Sequence, residues 1–259
     1  MYAVRPDETE IKIVQRQNGT GRRWNYFGIQ GGVDMEPQGF MVERPYANAV
    51  IAPHFHDVDQ FQVVVMGDGR IGKKKVAPIT FQYADAFTPY GPIVANQDGI
   101  AFLTLRPVAS GGHWGMPGNK QNMPCRAGRN IDGAFNYSDK RLAEGEVERQ
   151  SLMAEQEDGV AAAGLRLGPN ASAEGFGGNV GGQYYVVCAG TLVLGGKEYP
   201  ELSLLHYAPE DGMPTFTAGA DGAEILMVQF AAPSDRPGTD TDYLQKRTTY
   251  VNHRTAPAL

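Results

Sequence analysis

Short apolar runs punctuated by glycine, asparagine and aspartate set the rhythm of this chain. Phe61 to Met66, Ile79 to Tyr83 and Ile100 to Leu105 read as strands. Between them, Gly67-Asp68-Gly69 reads as a turn and Asp98-Gly99 as a type I′ hairpin turn. Residues 107–137 are rich in Gly, Pro, Asn and Arg and read as loop. Ser138 to Glu155 predicts a helix, with Ser138 as its cap, Asp139 in its first turn, and Leu142, Val147 and Leu152 as its apolar positions. The last stretch, 231–259, predicts an extended tail with at most a short helix. Regular short strands with such turns indicate an all-β sandwich or barrel.

The pattern occurs twice. Gln60-Phe61-Gln62-Val63-Val64-Val65-Met66-Gly67 lies over Gln183-Tyr184-Tyr185-Val186-Val187-Cys188-Ala189-Gly190 at an offset of 123 (183 − 60). The same offset, without a gap, pairs Gly72 with Gly195, Asp98-Gly99 with Asp221-Gly222, and Met41-Val42-Glu43-Arg44 with Gly164-Leu165-Arg166-Leu167. A constant register with glycines at matching places is the mark of a duplicated folding unit. The expected division is an N-terminal unit, 1–137, and a C-terminal unit, 138–259.

Composition narrows the classes of function. The 33 glycines in 259 residues are roughly twice the usual share, which favours many turns and bulges over long helices. A formal net charge of −6 argues against a nucleic-acid partner, and Lys73-Lys74-Lys75 reads as a solvated hairpin turn. Two cysteines make no disulfide framework. Cys188 is expected in a buried strand and Cys125 in a polar loop. No long apolar segment implies secretion or a membrane span, so a cytoplasmic protein without a membrane partner is expected.

One segment carries candidate chemistry. His54-Phe55-His56, then Gln60 and Gly67, resembles the first motif of the cupin superfamily, His-x-His, Glu and Gly. Pro89-Tyr90-Gly91 is similar to the start of the second. The family's Glu is Gln60 here, its second-motif His is Val94, and the Gly before its first His is Asn48. With the repeat, the resemblance implies a bicupin: two tandem cupin-type (double-stranded β-helix, jelly-roll) barrels, joined here by the short helix. It covers about 40–106 and, by duplication, 163–229.

Residues two apart on a strand share a face, so His54, His56 and Gln60 should stand on one wall. The resemblance implies that this wall binds a divalent metal (Fe, Mn, Ni or Zn) and performs dioxygenase-type oxidation of a small organic or aromatic metabolite. The replacements at Gln60 and Val94 motivate a second reading. In it a metal-free isomerase, epimerase or lyase uses His54 or His56 as general base and Tyr83 or Tyr90 as acid. A third is a non-catalytic barrel that binds a small ligand. In the second copy His54 becomes Gly177 and His56 becomes Asn179, while Gln60 stays Gln183. The site is therefore expected in the first barrel only, with Gly177 filled by Phe176 or Tyr185, or left open. Asp57 and Asp59 should point the other way, and His206 should be a buried polar residue. A homodimer is the expected assembly.

Overall fold

The computed structural model describes residues 1–28, 33–124, 126–136 and 141–247. Cys125, Ser138 and Asp139 fall outside them. The strands run β1 (Tyr2–Val4), β2 (Glu10–Arg16), β3 (Gly19–Phe27), β4 (Gln38–Arg44), β5 (Val50–Ile51), β6 (His54–Phe55), β7 (Gln60–Ile71), β8 (Lys74–Val76), β9 (Thr80–Ala84), β10 (Ile93–Arg106), β11 (Trp114–Gly115) and β12 (Asn130–Ala134). They continue as β13 (Val147–Met153), β14 (Ala161–Leu167), β15 (Ser172–Glu174), β16 (Gln183–Leu194), β17 (Lys197–Pro200), β18 (Leu204–Tyr207) and β19 (Thr215–Gln229), followed by helix α1 (Thr241–Lys246).

Two sheets repeat one plan. The first has the order β12-β9-β7-β10-β4-β3-β2, with β8 also on β7 and β5 also on β10. The second has β1-β18-β16-β19-β14-β13, with β17 also on β16 and β15 also on β19. Strand answers strand: β7 and β16 start 123 apart (60 and 183) and end 123 apart (71 and 194). The fold is two tandem cupin-type barrels. One outer strand crosses over: β1, from the start of the chain, pairs with β18 in the second sheet, while β12 pairs with β9 in the first.

The turns expected at Gly67–Gly69 and at Asp98-Gly99 are not turns. Both glycines lie inside long strands, β7 and β10, which bend there and so pair with different partners before and after the bend. The register between them slips between Ala95 and Ile100, as a β-bulge requires. Gly67 has φ of 66° and Gly99 of 79°; their counterparts Gly190 and Gly222 have 72° and 78°. A Cβ on Gly67 would run into the carbonyl of Gly99, and one on Gly190 into that of Gly222. Gly67→Ala should therefore lower stability by about 2 kcal/mol or more. Gly72→Ala should cost clearly less, because its nearest obstacle is 3.5 Å away. Denaturant midpoints of the two variants check the order. Asn48 has φ of 55°, which explains how an Asn replaces the glycine of the resembling motif: Asn tolerates the left-handed region.

Strand parity gives the barrels three large cores, beside two small clusters around Phe55 and Val58. Phe61, Val63, Phe81, Tyr83 and Leu103 of the first sheet pack with Tyr184, Val186, Leu226 and Val228 of the second, forming the seam between barrels. Val64, Ile93, Ile100 and Phe102 fill one end of the first barrel. Tyr185, Leu192, Tyr207 and Phe216 fill the second. Cys188 is buried in the seam, and His206 is buried on β18.

The helix expected over 138–155 is corrected. Val147–Met153 is β13, paired with β14. Its Glu148, Arg149 and Gln150 are exposed and it lies at the sheet edge, so propensity yields to the pairing offered by β14. The one α-helix among the described residues lies in the tail. Among those residues, no helix is long and apolar enough to cross a membrane.

Candidate functional site

The His54-Phe55-His56 segment is held by backbone on both sides. β6 pairs with β11, and His54 exchanges backbone hydrogen bonds with Tyr90, at 3.2 and 3.0 Å. Phe55 turns outward and stacks on Trp114, with ring centroids 5.5 Å apart. His54 and His56 turn inward and meet edge to face at 5.1 Å. This is the strand alternation that a polar-apolar-polar triplet encodes.

The two imidazoles open on a cavity of about 620 Å³ in the first barrel, which Gln62, Tyr90, Thr104 and Arg106 also line. That is an ordinary size for a small-molecule site. His54 Nδ1 lies 2.8 Å from the Ala52 carbonyl. A carbonyl only accepts, so Nδ1 carries the proton and Nε2 keeps its lone pair. The Tyr90 hydroxyl donates to that Nε2 at 2.6 Å. His56 follows the same logic: Nδ1 donates to the Gly112 carbonyl at 2.6 Å, leaving Nε2 as acceptor. Burial holds His54 down to about 3, and holds His56 well below its usual range with help from Arg106. Both are neutral at physiological pH. Burial raises Tyr90 to about 12, so its hydroxyl stays protonated.

Arg106 is the feature that sequence reasoning missed. Its guanidinium donates to Gln38 Oε1 at 2.6 Å, to Gln60 Oε1 from two nitrogens at 3.3 Å each, and to His56 Nε2 at 3.1 Å. Burial lowers it to about 10, so it remains a cation. The signal was present in the pattern: Phe102, Thr104 and Arg106 share a parity, and the last is a charge ending an apolar strand. Arg23, on β3, and Gln62, two residues beyond Gln60, were also missed.

Tyr83, expected at the site, is on the other face of β9. It is fully buried in the seam, where its hydroxyl donates to Asp59 Oδ2 at 2.8 Å. Odd parity on β9 aims it away from the cavity. Asp57 and Asp59 also point away, into the C-terminal tail. Asp57 meets Arg247 at 2.9 Å, and Asp59 meets Arg236 at 2.8 and 2.5 Å. Val94 is not among the lining residues.

The residues do not fit the divalent metal that the family resemblance implies. Gln60 offers one ligating oxygen, and two N–H groups of Arg106 occupy it. His56 Nε2 faces the same guanidinium, and His54 Nε2 is taken by Tyr90. A cation would meet a fixed positive charge and no carboxylate, whereas hard and borderline metals need an anionic or fully available donor set. Among the described residues no cluster of three or more His, Cys, Asp or Glu could hold an ion.

The second barrel is closed on itself. Gln183 Nε2 donates to Gln229 Oε1 at 2.7 Å, and Tyr185 donates to Gln183 Oε1 at 2.6 Å. Asn179 bonds the backbone of Tyr207 and Gly182. Tyr185, Tyr207 and Phe216 pack edge to face in its centre. At Gly177 nothing approaches within 4 Å of where a Cβ would be, so that spot is left open. Gln229 stands where the first barrel has Arg106.

No protein-family pattern matches this sequence, and no curated protein matches it. Solved structures do match. A candidate dioxygenase from Nostoc punctiforme superposes with a TM-score of 0.63 at 10% identity, over 90% of this chain and 84% of that one. Oxalate decarboxylase from Bacillus subtilis gives 0.57 at 12% identity, over 90% and 76%. Another structure of that enzyme, from work on its Mn(II) centres, gives 0.55 at 12% identity, over 90% and 77%. Fold and site together define a protein of cupin-type fold with a buried polar cavity in its first barrel. At these identities the likeness is one of fold.

Proposed function

We propose that this chain is a metal-independent bicupin enzyme that moves a proton on a small molecule bound in its first barrel, as an isomerase, epimerase or lyase does. Its functional units are 1–137 and 138–259, and only the first is catalytic. The observation that carries this reading is the Arg106 guanidinium seated among His56, Gln60 and Gln38. It supplies in place the positive charge that a metal would bring. Tyr90 and His54 act as one acid–base pair. When the substrate proton passes to the Tyr90 oxygen, the phenolic proton passes to His54 Nε2; the reverse path returns it. Arg106 stabilises negative charge that develops on the substrate as its proton leaves.

The metal-dependent dioxygenase reading draws on the family resemblance and on the likeness in fold to the Nostoc candidate dioxygenase. It requires Arg106 to yield its place. The two readings separate in one measurement: incubation of the protein with Mn(II), Fe(II), Ni(II) or Zn(II), then desalting and elemental analysis. The wild-type protein is expected to retain no stoichiometric metal. The double variant Arg106→Ala with Gln60→Glu, which recreates two histidines and a carboxylate, is expected to retain it. Stoichiometric metal in the wild-type protein that is lost in His54→Ala would overturn the proposal.

A further inference from the structure

The cavity carries charge that its walls do not balance. Arg16, Arg23, Arg44 and Arg106 line it, and among the described residues no aspartate or glutamate does. Two of the four stand close together. The Arg23 guanidinium lies over the Phe40 ring at 3.4 Å, and Arg106 approaches the same ring at 5.3 Å. Arg23 Nε donates to Asn25 Oδ1 at 2.8 Å. Neither guanidinium has a carboxylate partner among the described residues. Burial and the neighbouring Arg106 hold Arg23 down to about 9, so it too is charged at neutral pH. A buried and a half-buried guanidinium without a carboxylate partner are costly to keep, and their planar forks match a carboxylate.

A second, independent atom is unsatisfied. Gln62 lines the cavity, and its buried Oε1 has no hydrogen-bond partner. Its orientation follows from its neighbours. Tyr90 spends its one proton on His54, so its oxygen accepts from Gln62 Nε2, at 3.4 Å. This leaves Oε1 as an acceptor in need of a donor. A buried acceptor without a partner carries a penalty that a ligand hydroxyl would remove.

We propose, building on the acid–base reading above, that the first barrel takes a small hydroxy acid, with its carboxylate between Arg23 and Arg106 and its hydroxyl donating to Gln62 Oε1. That hydroxyl then stands beside Tyr90, so the carbon bearing it is the one presented to the Tyr90–His54 pair. The carboxylate accounts for the unbalanced charge and the hydroxyl for the orphaned oxygen.

The test is calorimetric titration at neutral pH, in EDTA, with matched pairs: malate against succinate, lactate against propionate, salicylate against benzoate, and inorganic phosphate as a further anion. At least one hydroxy acid should bind about tenfold or more tighter than its deoxy partner. Arg23→Gln should weaken it about tenfold or more, with Arg23→Lys in between. Gln62→Leu removes an unsatisfied buried oxygen, so it should fold at least as well as wild type. It should keep carboxylate binding and lose the preference for the hydroxyl. The inference falls if no acid of the panel binds, if phosphate binds more tightly than every acid, if Arg23→Gln binds as wild type does, or if Gln62→Leu retains the preference. These outcomes are separate from metal uptake. Stoichiometric metal would sink the acid–base reading, whereas failure of the titrations in EDTA, without metal uptake, would sink the hydroxy-acid assignment alone.

Discussion

Arg236→Ala is expected to destabilise the protein by about 3–5 kcal/mol, the cost of leaving a buried carboxylate without its cation. Asp59 has no exposed side-chain surface, and Arg236 grips both its oxygens. The Tyr83 hydroxyl and the Ala86 amide complete its shell at 2.8 Å each. Arg236 also lies 3.3 Å from Asp85, which keeps Arg129 when Arg236 is lost. The arginine comes from the tail after the second sheet, while both aspartates belong to the first barrel. The ion pair therefore holds the C-terminal segment onto the segment that carries His54, His56 and Gln60. The double variant Arg236→Ala with Asp59→Asn should lose less than the two single losses added together, because the residues are in direct contact. By contrast, the exposed pair Lys246–Asp242, at 3.8 Å, should contribute almost nothing when broken. Urea denaturation midpoints measure all of these. A loss from Arg236→Ala no larger than that from Lys246→Ala would mean that the tail is not docked as described. The second tail arginine, Arg247, reaches closer to the cavity. It binds Asp57, which accepts from Ser110, and Ser110 stands 3.2 Å from His56 Nδ1.

Stability is expected to fall steeply as pH drops from 7 to 5, above the range where carboxylates titrate. Burial depresses His54 to about 3 and His206 to about 4, and holds His56 well below its usual value. In the unfolded chain each returns to about 6.5. Between these values the unfolded state binds more protons than the folded one, so the stabilisation is complete above pH 6.5 and is lost as pH falls through this window. Each such histidine removes about 2 kcal/mol between pH 7 and pH 5. The three together remove on the order of 6 kcal/mol, a large part of a typical domain's stability. Melting temperatures across this range, for wild type and for His54→Gln and His206→Gln, check the source. Each variant should flatten the curve by its share. An unchanged slope in both would place the acid sensitivity elsewhere.

The repeat was legible because it is periodic in one dimension. A duplicated strand order needs the same apolar parity and the same bend glycines 123 residues on, and both are written in the chain. The all-β class, the inward turn of His54 and His56, and the outward turn of Asp57 and Asp59 follow from the two-residue period of a strand. The absence of an imidazole pair in the second barrel is read from the offset, which places Gly177 and Asn179 at the histidine positions.

Other features depend on which strands become neighbours, and local pattern does not carry that. Gly67 and Gly99 look like turn residues on their own; only their close approach across β7 and β10 makes them bulges. Val147 to Met153 carries a helix-compatible sequence, and the open edge of β14 made it a strand. Tyr83 was named as a candidate acid beside the histidines, yet its parity belongs to the seam, a surface that exists only because two barrels pack together. Arg106 is the decisive case. It lies 46 residues from Gln60 and 68 from Gln38; its own neighbourhood shows a charge ending an apolar strand but not which residues that charge meets. Folding brings its guanidinium against those two amides and His56. One cation then faces the lone pairs at which the family resemblance had implied a metal, because tertiary packing decides which charge a buried lone pair meets.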